Sequence, residues 1–145
     1  MKENNMKKSS FDWINELHEK YYHLFETYQE EGTEKSYYQK GDILRGIECG
    51  NGWEEPVHNF LKTLQFYYEN SLKQDEKIQI FQIKQKFGKV RTYVSYPEHL
   101  QGSIENAIGR LEGECFLTCE RCGELHKTGV RKNRGWLVCL CDKCL

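Results

Sequence analysis

The sequence has few of the features that mark membrane-bound, secreted or low-complexity proteins. No run of 18 apolar residues occurs in the 145-residue chain, and the polar start over residues 1–10 has no signal-peptide core. Only two prolines are present and no segment is of low complexity. We therefore expect a cytoplasmic protein of one domain, or one domain with a small appendage, and no membrane partner.

Motifs for catalysis are also scarce. Gly50-Asn51-Gly52 lacks the Gly-Lys-Ser/Thr ending of a phosphate loop, so we interpret it as a turn that seats Trp53. His126 lies four residues after Cys122, as in zinc-stapled nucleases, but the second His or Asn that such enzymes carry on a following helix is missing. A surface histidine is the simpler interpretation. We expect a protein that is not an enzyme.

Cysteine, in contrast, is abundant: seven occur, and four form two Cys-x-x-Cys pairs. Cys119/Cys122 and Cys141/Cys144 are separated by eighteen residues, within the range of four-thiolate zinc sites. The pattern predicts one structural Zn²⁺ with all four as ligands, in a ribbon or knuckle closure because no helix follows Cys144. The alternative is four buried free thiols.

The other three cysteines have no such spacing. Cys139 lies two residues before Cys141 and could compete as a ligand, but a spare buried thiol is the simpler interpretation. Cys49 and Cys115 are expected in the core. A nucleophilic Cys49 would need an electropositive setting, whereas its neighbours Glu48, Glu54 and Glu55 are acidic.

Hydrophobic periodicity predicts three helices and a β-hairpin. The predicted apolar faces are Trp13, Leu17, Tyr21, Leu24 and Tyr28 in the first helix, Val57, Phe60, Leu61, Leu64 and Tyr68 in the second, and Leu100, Ile104, Ile108 and Leu111 in the third. The first should begin at Ser9 or Ser10 and end near Gly32, the second near Ser71 and the third at Gly113. Residues 78–96 alternate as a hairpin that turns at Gly88-Lys89.

The predicted fold class is α+β. Helices pack on a small antiparallel hairpin or sheet, and a four-cysteine zinc ribbon follows. The predicted organisation is a disordered leader at 1–9, a helical and hairpin core at 10–113, and a zinc-ribbon subdomain at 114–145.

Three segments together resemble a family of small phage and prophage zinc-ribbon proteins. That family has an E-C-G-x-G-W turn, a K-x-K-F-G-x-L-R hairpin and a terminal C-x-x-C…G-W…L-C-x-x-C; the counterparts here are residues 48–53, 84–91 and 119–144. The resemblance covers roughly residues 42–145, with Val90 in place of the Leu and Cys139 as an extra thiol. It implies a phage or mobile-element accessory protein in a bacterial cytoplasm, and implies no reaction.

Charge provides the remaining functional clue. Residues 77–145 carry twelve basic and seven acidic side chains, a net +5, although the whole chain has a net charge of −1. Basic side chains beside aromatic ones are typical of nucleic-acid binding. The predicted nucleic-acid-binding residues are Lys84, Lys86, Lys89 and Arg91 on the hairpin, and Lys127, Arg131, Lys132, Arg134 and Trp136 in a protruding loop between the cysteine pairs.

Two partner classes stay open at this point. The first is RNA or DNA, or a nucleoprotein complex, bound by these residues. The second is a host protein, in which case the chain is an inhibitor or adaptor that acts on a host enzyme or an antiviral defence complex. A solvated surface is the alternative to both, since lysines on strands also prevent edge pairing.

Overall fold

The computed structural model describes residues 12–25, 27–30, 33–36, 46–127 and 129–145, which form helices and short sheets. In chain order the elements are α1 (Asp12–Lys20), β1 (Thr27–Glu30), β2 (Thr33–Ser36), β3 (Gly46–Glu48), α2 (Glu54–Asn70), β4 (Gln79–Lys86), β5 (Lys89–Ser95), α3 (Gln101–Phe116), β6 (Arg131–Asn133) and β7 (Trp136–Val138). The predicted α+β class is confirmed. Within the described part of the chain, no helix is long and apolar enough to cross a bilayer.

The central sheet has the order β3-β4-β5 and contains the predicted hairpin. β4 and β5 are antiparallel, and β3 adds a short parallel strand that the sequence pattern does not predict. Lys86 faces Lys89, so the turn is Phe87-Gly88, one residue before the predicted Gly88-Lys89. Both turn residues have positive φ, 57° and 80°, which matches the type I′ turn preferred in tight hairpins.

A β-bulge interrupts the predicted alternation of β4. The register shifts between Ile80 and Gln82, so Phe81 is an extra residue on this strand. As a result Ile80 and Ile83, three residues apart, are both fully buried, whereas a strict period of two would place them on opposite faces.

The first helix is shorter than predicted. α1 ends at Lys20 and a 3₁₀ turn, Tyr22–Leu24, follows. Phe25 then has extended backbone and bridges to Ile80 of β4, a long-range pairing that ends the helical segment. The predicted helical position of Tyr28 is therefore wrong, since Tyr28 lies in β1, which pairs with β2.

The second and third helices follow the prediction more closely. α2 contains Pro56 in its first turn and ends one residue before Ser71. α3, however, continues past Gly113 to Phe116, so Gly113 does not end it and the helix crosses the predicted boundary between 113 and 114. The predicted division into two parts stays a prediction. The leader at 1–9 and the caps at Ser9 and Ser10 lie outside the described residues.

Among the described residues, a hydrophobic core joins α1, α2 and α3 to the central sheet. α3 packs against both α2 and β5, which places the hairpin next to the helices. Cys139, from the predicted ribbon, belongs to this main core, while Cys119, Leu140 and Cys141 form a small second cluster beside it. The metal-ligand candidates therefore lie directly against the core.

Candidate metal centre and basic hairpin face

The structure brings the four paired cysteines together. The sulfur atoms of Cys119, Cys122, Cys141 and Cys144 all lie within 4.8 Å of one another, and those of Cys122 and Cys141 are 3.7 Å apart. None of the seven cysteines is disulfide-bonded. Cys119 and Cys141 are buried, while Cys122 is exposed. These four residues could hold one metal ion.

Tight turns position each pair. In the first, the N–H of Gly123 donates to the carbonyl oxygen of Cys119 at 2.9 Å, and the N–H of Cys119 donates to that of Glu124 at 2.8 Å. Gly123 has φ of +84°, a left-handed conformation that favours glycine. In the second pair, the N–H of Cys144 donates to the carbonyl oxygen of Cys141 at 3.1 Å. The turns aim both sulfurs of each pair to one side.

Hydrogen bonds within the site favour the ionised, thiolate form of one cysteine, Cys119. Burial raises the pKa of Cys119, but hydrogen bonds from the backbone N–H groups of Cys122, Cys141 and Arg121 outweigh burial and lower this pKa to about 6. Desolvation, followed by hydrogen bonds with the neighbouring thiols, raises the pKa of Cys144 to about 12. Four thiolates this close repel one another, so their joint ionisation requires a cation.

The glycine turn after β3 supports the first cysteine pair. The backbone N–H of Gly50 donates to the Glu120 carboxylate at 2.8 Å, and that of Gly52 donates to the Glu120 carbonyl at 2.6 Å. Trp53 is fully buried and its indole N–H donates to the Thr118 carbonyl at 2.8 Å. The turn therefore seats Trp53, as interpreted from the sequence, and it also holds the chain on both sides of Cys119.

Cys139 is a buried core thiol adjacent to the centre. Its sulfur lies 3.2 Å from the Cys115 carbonyl oxygen and 3.4 Å from that of Thr118. Burial first, and then the negative charge of Glu120, raise the pKa of Cys139 to about 11. His126 Nε2 is 3.5 Å from this sulfur, so His126 packs inward on Cys139 and is not the freely solvated histidine expected from the sequence.

Cys49 and Cys115 are core thiols, as expected. Both are buried, and burial is the largest cause that raises the pKa of each far above the ordinary range. The carboxylate of Glu120 adds to the effect at both sulfurs. A thiol held neutral in this way is a poor nucleophile.

Four predicted nucleic-acid-binding residues share one face of the β4–β5 hairpin. Lys84 is paired directly with Arg91, and Lys86 with Lys89. Directly opposed residues of antiparallel strands point to the same side, as do residues two apart. We call this set of four side chains the basic face. Among the described residues, no carboxylate lies within ion-pairing distance of any of them.

Neighbouring positions add one aromatic and one acidic side chain to this face. Tyr93 is two residues beyond Arg91 on β5 and is 47% exposed. Glu48 on β3 is paired with Lys84, but its carboxylate accepts a hydrogen bond from Gln82 at 3.0 Å. The face therefore has a clear excess of positive charge.

The segment between the cysteine pairs forms a second hairpin where a protruding loop is predicted. β6 and β7 turn at Arg134-Gly135, both with positive φ. Arg131 is not free, since its guanidinium donates to the Leu140 carbonyl at 3.0 Å and pairs with Asp142 at 2.9 Å. Of the predicted nucleic-acid-binding residues in this region, Lys127, Lys132, Arg134 and Trp136 are exposed.

The two hairpins touch. A Cβ built on Gly88, at the tip of the β4–β5 turn, would lie 2.9 Å from the Val130 side chain and 3.2 Å from the Val138 backbone. The basic face therefore ends at the ribbon, and only a residue without a side chain fits this contact. No motif in the sequence predicts this contact or the one between Glu120 and the glycine turn.

No family model matches the chain, and neither a curated protein nor a solved structure is significantly similar to it. The interpretation of the site therefore depends on its own geometry.

Proposed function

We propose that this protein binds nucleic acid through the basic face of its β4–β5 hairpin, and that a structural Zn²⁺ at the four clustered cysteines stabilises the adjoining ribbon. The observation that carries the proposal is the pairing of Lys84 with Arg91 and of Lys86 with Lys89. The phage-like motifs support placing it as an accessory protein of a phage or mobile element, acting in a bacterial cytoplasm.

The donor set supports zinc. Four thiolates are soft ligands that suit Zn²⁺, and a tetrahedral ion with Zn–S bonds of 2.3 Å requires sulfurs about 3.8 Å apart. The Cys122–Cys141 distance of 3.7 Å matches this value. With four protein ligands no coordination position is open for a substrate, so the ion would serve structure and not chemistry.

The basic face supports an anionic partner. Like charges directly opposite each other on a sheet are destabilising, so an anionic ligand that neutralises two such pairs in succession is favoured. Edge protection does not explain Lys84, because β4 is the middle strand of its sheet. Regularly spaced cations on a strand pair suit the repeating phosphates of a nucleic acid.

Exposed residues of the ribbon extend this surface. Trp136 is 75% exposed, and a base could stack on its indole. Lys132 and Arg134 add positive charge near it. We assign Arg131 a supporting role, because its guanidinium holds Leu140 and Asp142 beside the metal-binding cysteines.

Binding is tested by fluorescence anisotropy of labelled RNA and DNA with the metal-loaded protein. The variant Lys84→Gln/Lys86→Gln/Lys89→Gln/Arg91→Gln should lose most of the affinity at low salt. A matched control removes four exposed lysines elsewhere, in Lys20→Gln/Lys62→Gln/Lys73→Gln/Lys77→Gln. If both variants lose the same affinity, net charge and not the basic face is responsible, and wild-type protein that binds neither polymer contradicts the proposal.

A second candidate, a protein-binding adaptor, is favoured by a different surface. An open cavity of about 750 Å³ beside the first cysteine pair has Glu54, Glu55 and Glu114 among its lining residues. Leu125, also in the lining, is 76% exposed. An acidic surface with an exposed apolar residue fits a basic protein partner. Affinity purification from a bacterial host lysate after nuclease treatment should then retain a stoichiometric protein that Leu125→Ser releases, and an empty eluate excludes this candidate.

A further inference from the structure

A groove runs along β5 where this edge strand meets α3. Its volume is about 530 Å³, within the range of small-molecule sites. The lining residues that matter here are Lys89, Arg91, Gly109, Glu112, Gly113 and Phe116. Lys89 and Arg91 belong to the basic face as well, so the groove is continuous with that face over the edge of the sheet.

The groove combines cationic and aromatic side chains. The side chains of Lys89 and Arg91 lie on the basic face, so their two positive charges stand at the rim of the groove, against the single carboxylate of Glu112. Phe116, at the end of α3, is 46% exposed although part of its ring packs closely against Gly129. Its ring is thus held in place and still accessible. Phosphate neutralisation beside a fixed aromatic ring is the arrangement with which proteins bind unpaired nucleotides.

The helical wall of the groove is open. A Cβ placed on Gly109 or Gly113 would meet no atom within 4 Å, so nothing in the packing of the described residues explains glycine at these positions. Glycine costs a helix roughly 0.5–1 kcal/mol relative to alanine. The two glycines keep the groove wide enough for a flat ring or a sugar-phosphate unit.

We infer that this groove binds single-stranded nucleic acid, with the backbone phosphates at Lys89 and Arg91 and a base on the ring of Phe116. The inference rests on the proposed nucleic-acid binding and narrows it to unpaired strands. In a duplex the faces of the bases are covered by their neighbours, so a duplex would contact the basic face but leave the groove empty. Glu112 can accept a hydrogen bond from a base amino group.

The test uses a variant whose added side chains fill the groove while the fold is expected to stay intact. Gly109→Leu/Gly113→Leu introduces side chains into open space and favours the helix, so thermal unfolding should occur at the same or a higher temperature. Gly102→Leu is the matched control, because Gly102 is on the same helix and equally open but does not line the groove. Probes are labelled single strands of RNA and of DNA and the matching DNA duplex.

The groove variant should bind both single strands about tenfold more weakly or worse, the loss expected when one stacked base is displaced, while duplex affinity and the Gly102→Leu control stay unchanged. Phe116→Leu should show the same selective loss and Phe116→Tyr should not. A preference of wild type for RNA or DNA identifies the polymer.

Unchanged single-strand binding in the groove variant overturns the inference, and it leaves the proposed function intact if the four-residue variant of the basic face still loses affinity. Equal losses for duplex and single strand also overturn it, because the groove would then act only through the shared cations. Absence of wild-type binding to all three probes overturns the proposed function itself.

Discussion

The two hairpins of this protein have similar turns but are stabilised in different ways. Phe87-Gly88 and Arg134-Gly135 both have φ values near +55° and +80°, and each joins strands that carry basic residues. β4 and β5 are seven or eight residues long and bury Ile80, Ile83 and Val90 in the main core. β6 and β7 have three residues each, and Trp136 and Leu137 are exposed.

This difference shows what the cysteine centre contributes. An isolated hairpin of two short strands has little stability in water, because it buries too little apolar surface. The β4–β5 hairpin is anchored in the hydrophobic core. If the four cysteines hold a metal ion as we propose, the β6–β7 hairpin depends mainly on these cysteines at its two ends. Removal of the metal ion from the four cysteines should therefore distinguish most clearly between the stabilities of the two hairpins.

Metal removal should have the largest effect. Structural zinc contributes about 10–16 kcal/mol to the folding of small sites, so a chelator should unfold the ribbon over residues 117–145. The amides of β4 and β5 should keep most of their hydrogen-exchange protection, and Cys141→Ser should act like the chelator. Exchange of residues 131–138 that is unchanged without metal would contradict the account.

Next in size is the contact between the glycine turn and the first cysteine pair. In Gly52→Ala the new Cβ would overlap the carbonyl oxygen of Cys119 and lie 2.6 Å from the carbonyl carbon of Glu120. Backbone atoms cannot rotate away, so we expect a loss of about 3–4 kcal/mol in the free energy of unfolding. Gly102→Ala, in open space, should instead stabilise by about 0.5–1 kcal/mol. Denaturant titration of the metal-loaded variants measures both.

The third prediction concerns the main hydrophobic core, which anchors the central sheet. The Nε2 of buried His18 accepts a hydrogen bond from the Ile47 N–H at 3.2 Å, which requires a neutral ring and ties α1 to β3. Burial lowers the pKa of His18 from 6.5 to about 4. The unfolded chain therefore takes up a proton first as the pH falls.

The sign of the pH dependence follows directly. The contribution of His18 to stability is complete above pH 6.5 and is lost as the pH falls from 6.5 to about 4, by up to about 3 kcal/mol. Protonation of the cysteines acts in the same pH range, so the readout is the difference between wild type and His18→Gln. His18→Gln should be less stable at neutral pH and show a shallower loss in acid. Parallel curves would contradict the assignment.

The smallest effect should come from the cations of the ribbon. Lys132→Gln/Arg134→Gln should weaken single-strand binding about threefold to tenfold, less than removal of the basic face, since only two phosphate contacts are lost. Anisotropy at a fixed salt concentration measures the ratio. A loss as large as that of the four-residue hairpin variant would show that the ribbon and not the β4–β5 hairpin is the main contact surface.

Local patterns in the sequence predict the parts of the fold that depend on neighbours in the chain. The stripe of α2, the alternation of β4 and β5 and the two Cys-x-x-Cys turns each depend on residues a few positions apart. The four cysteines are the site that spacing alone predicts, and the structure brings their sulfurs together.

The features that the sequence patterns do not predict depend on contacts between residues far apart in the chain. Phe25 leaves the helical path because it bridges to Ile80, and Glu120 holds Gly50 from seventy residues away. The basic face could not be predicted without the register of the hairpin. Alternation along β4 places Lys84 and Lys86 on one side, but only the turn at Phe87-Gly88 sets Lys89 and Arg91 opposite them.

The most direct test of the account is the salt dependence of single-strand affinity for the metal-loaded protein. The slope of log K against log salt concentration should be shallower by about 3 in the four-residue variant of the basic face than in wild type, since each phosphate contact on a single strand contributes about 0.7. Equal slopes for the two proteins, or no wild-type binding at low salt, would contradict the claim that this hairpin face receives a nucleic-acid backbone.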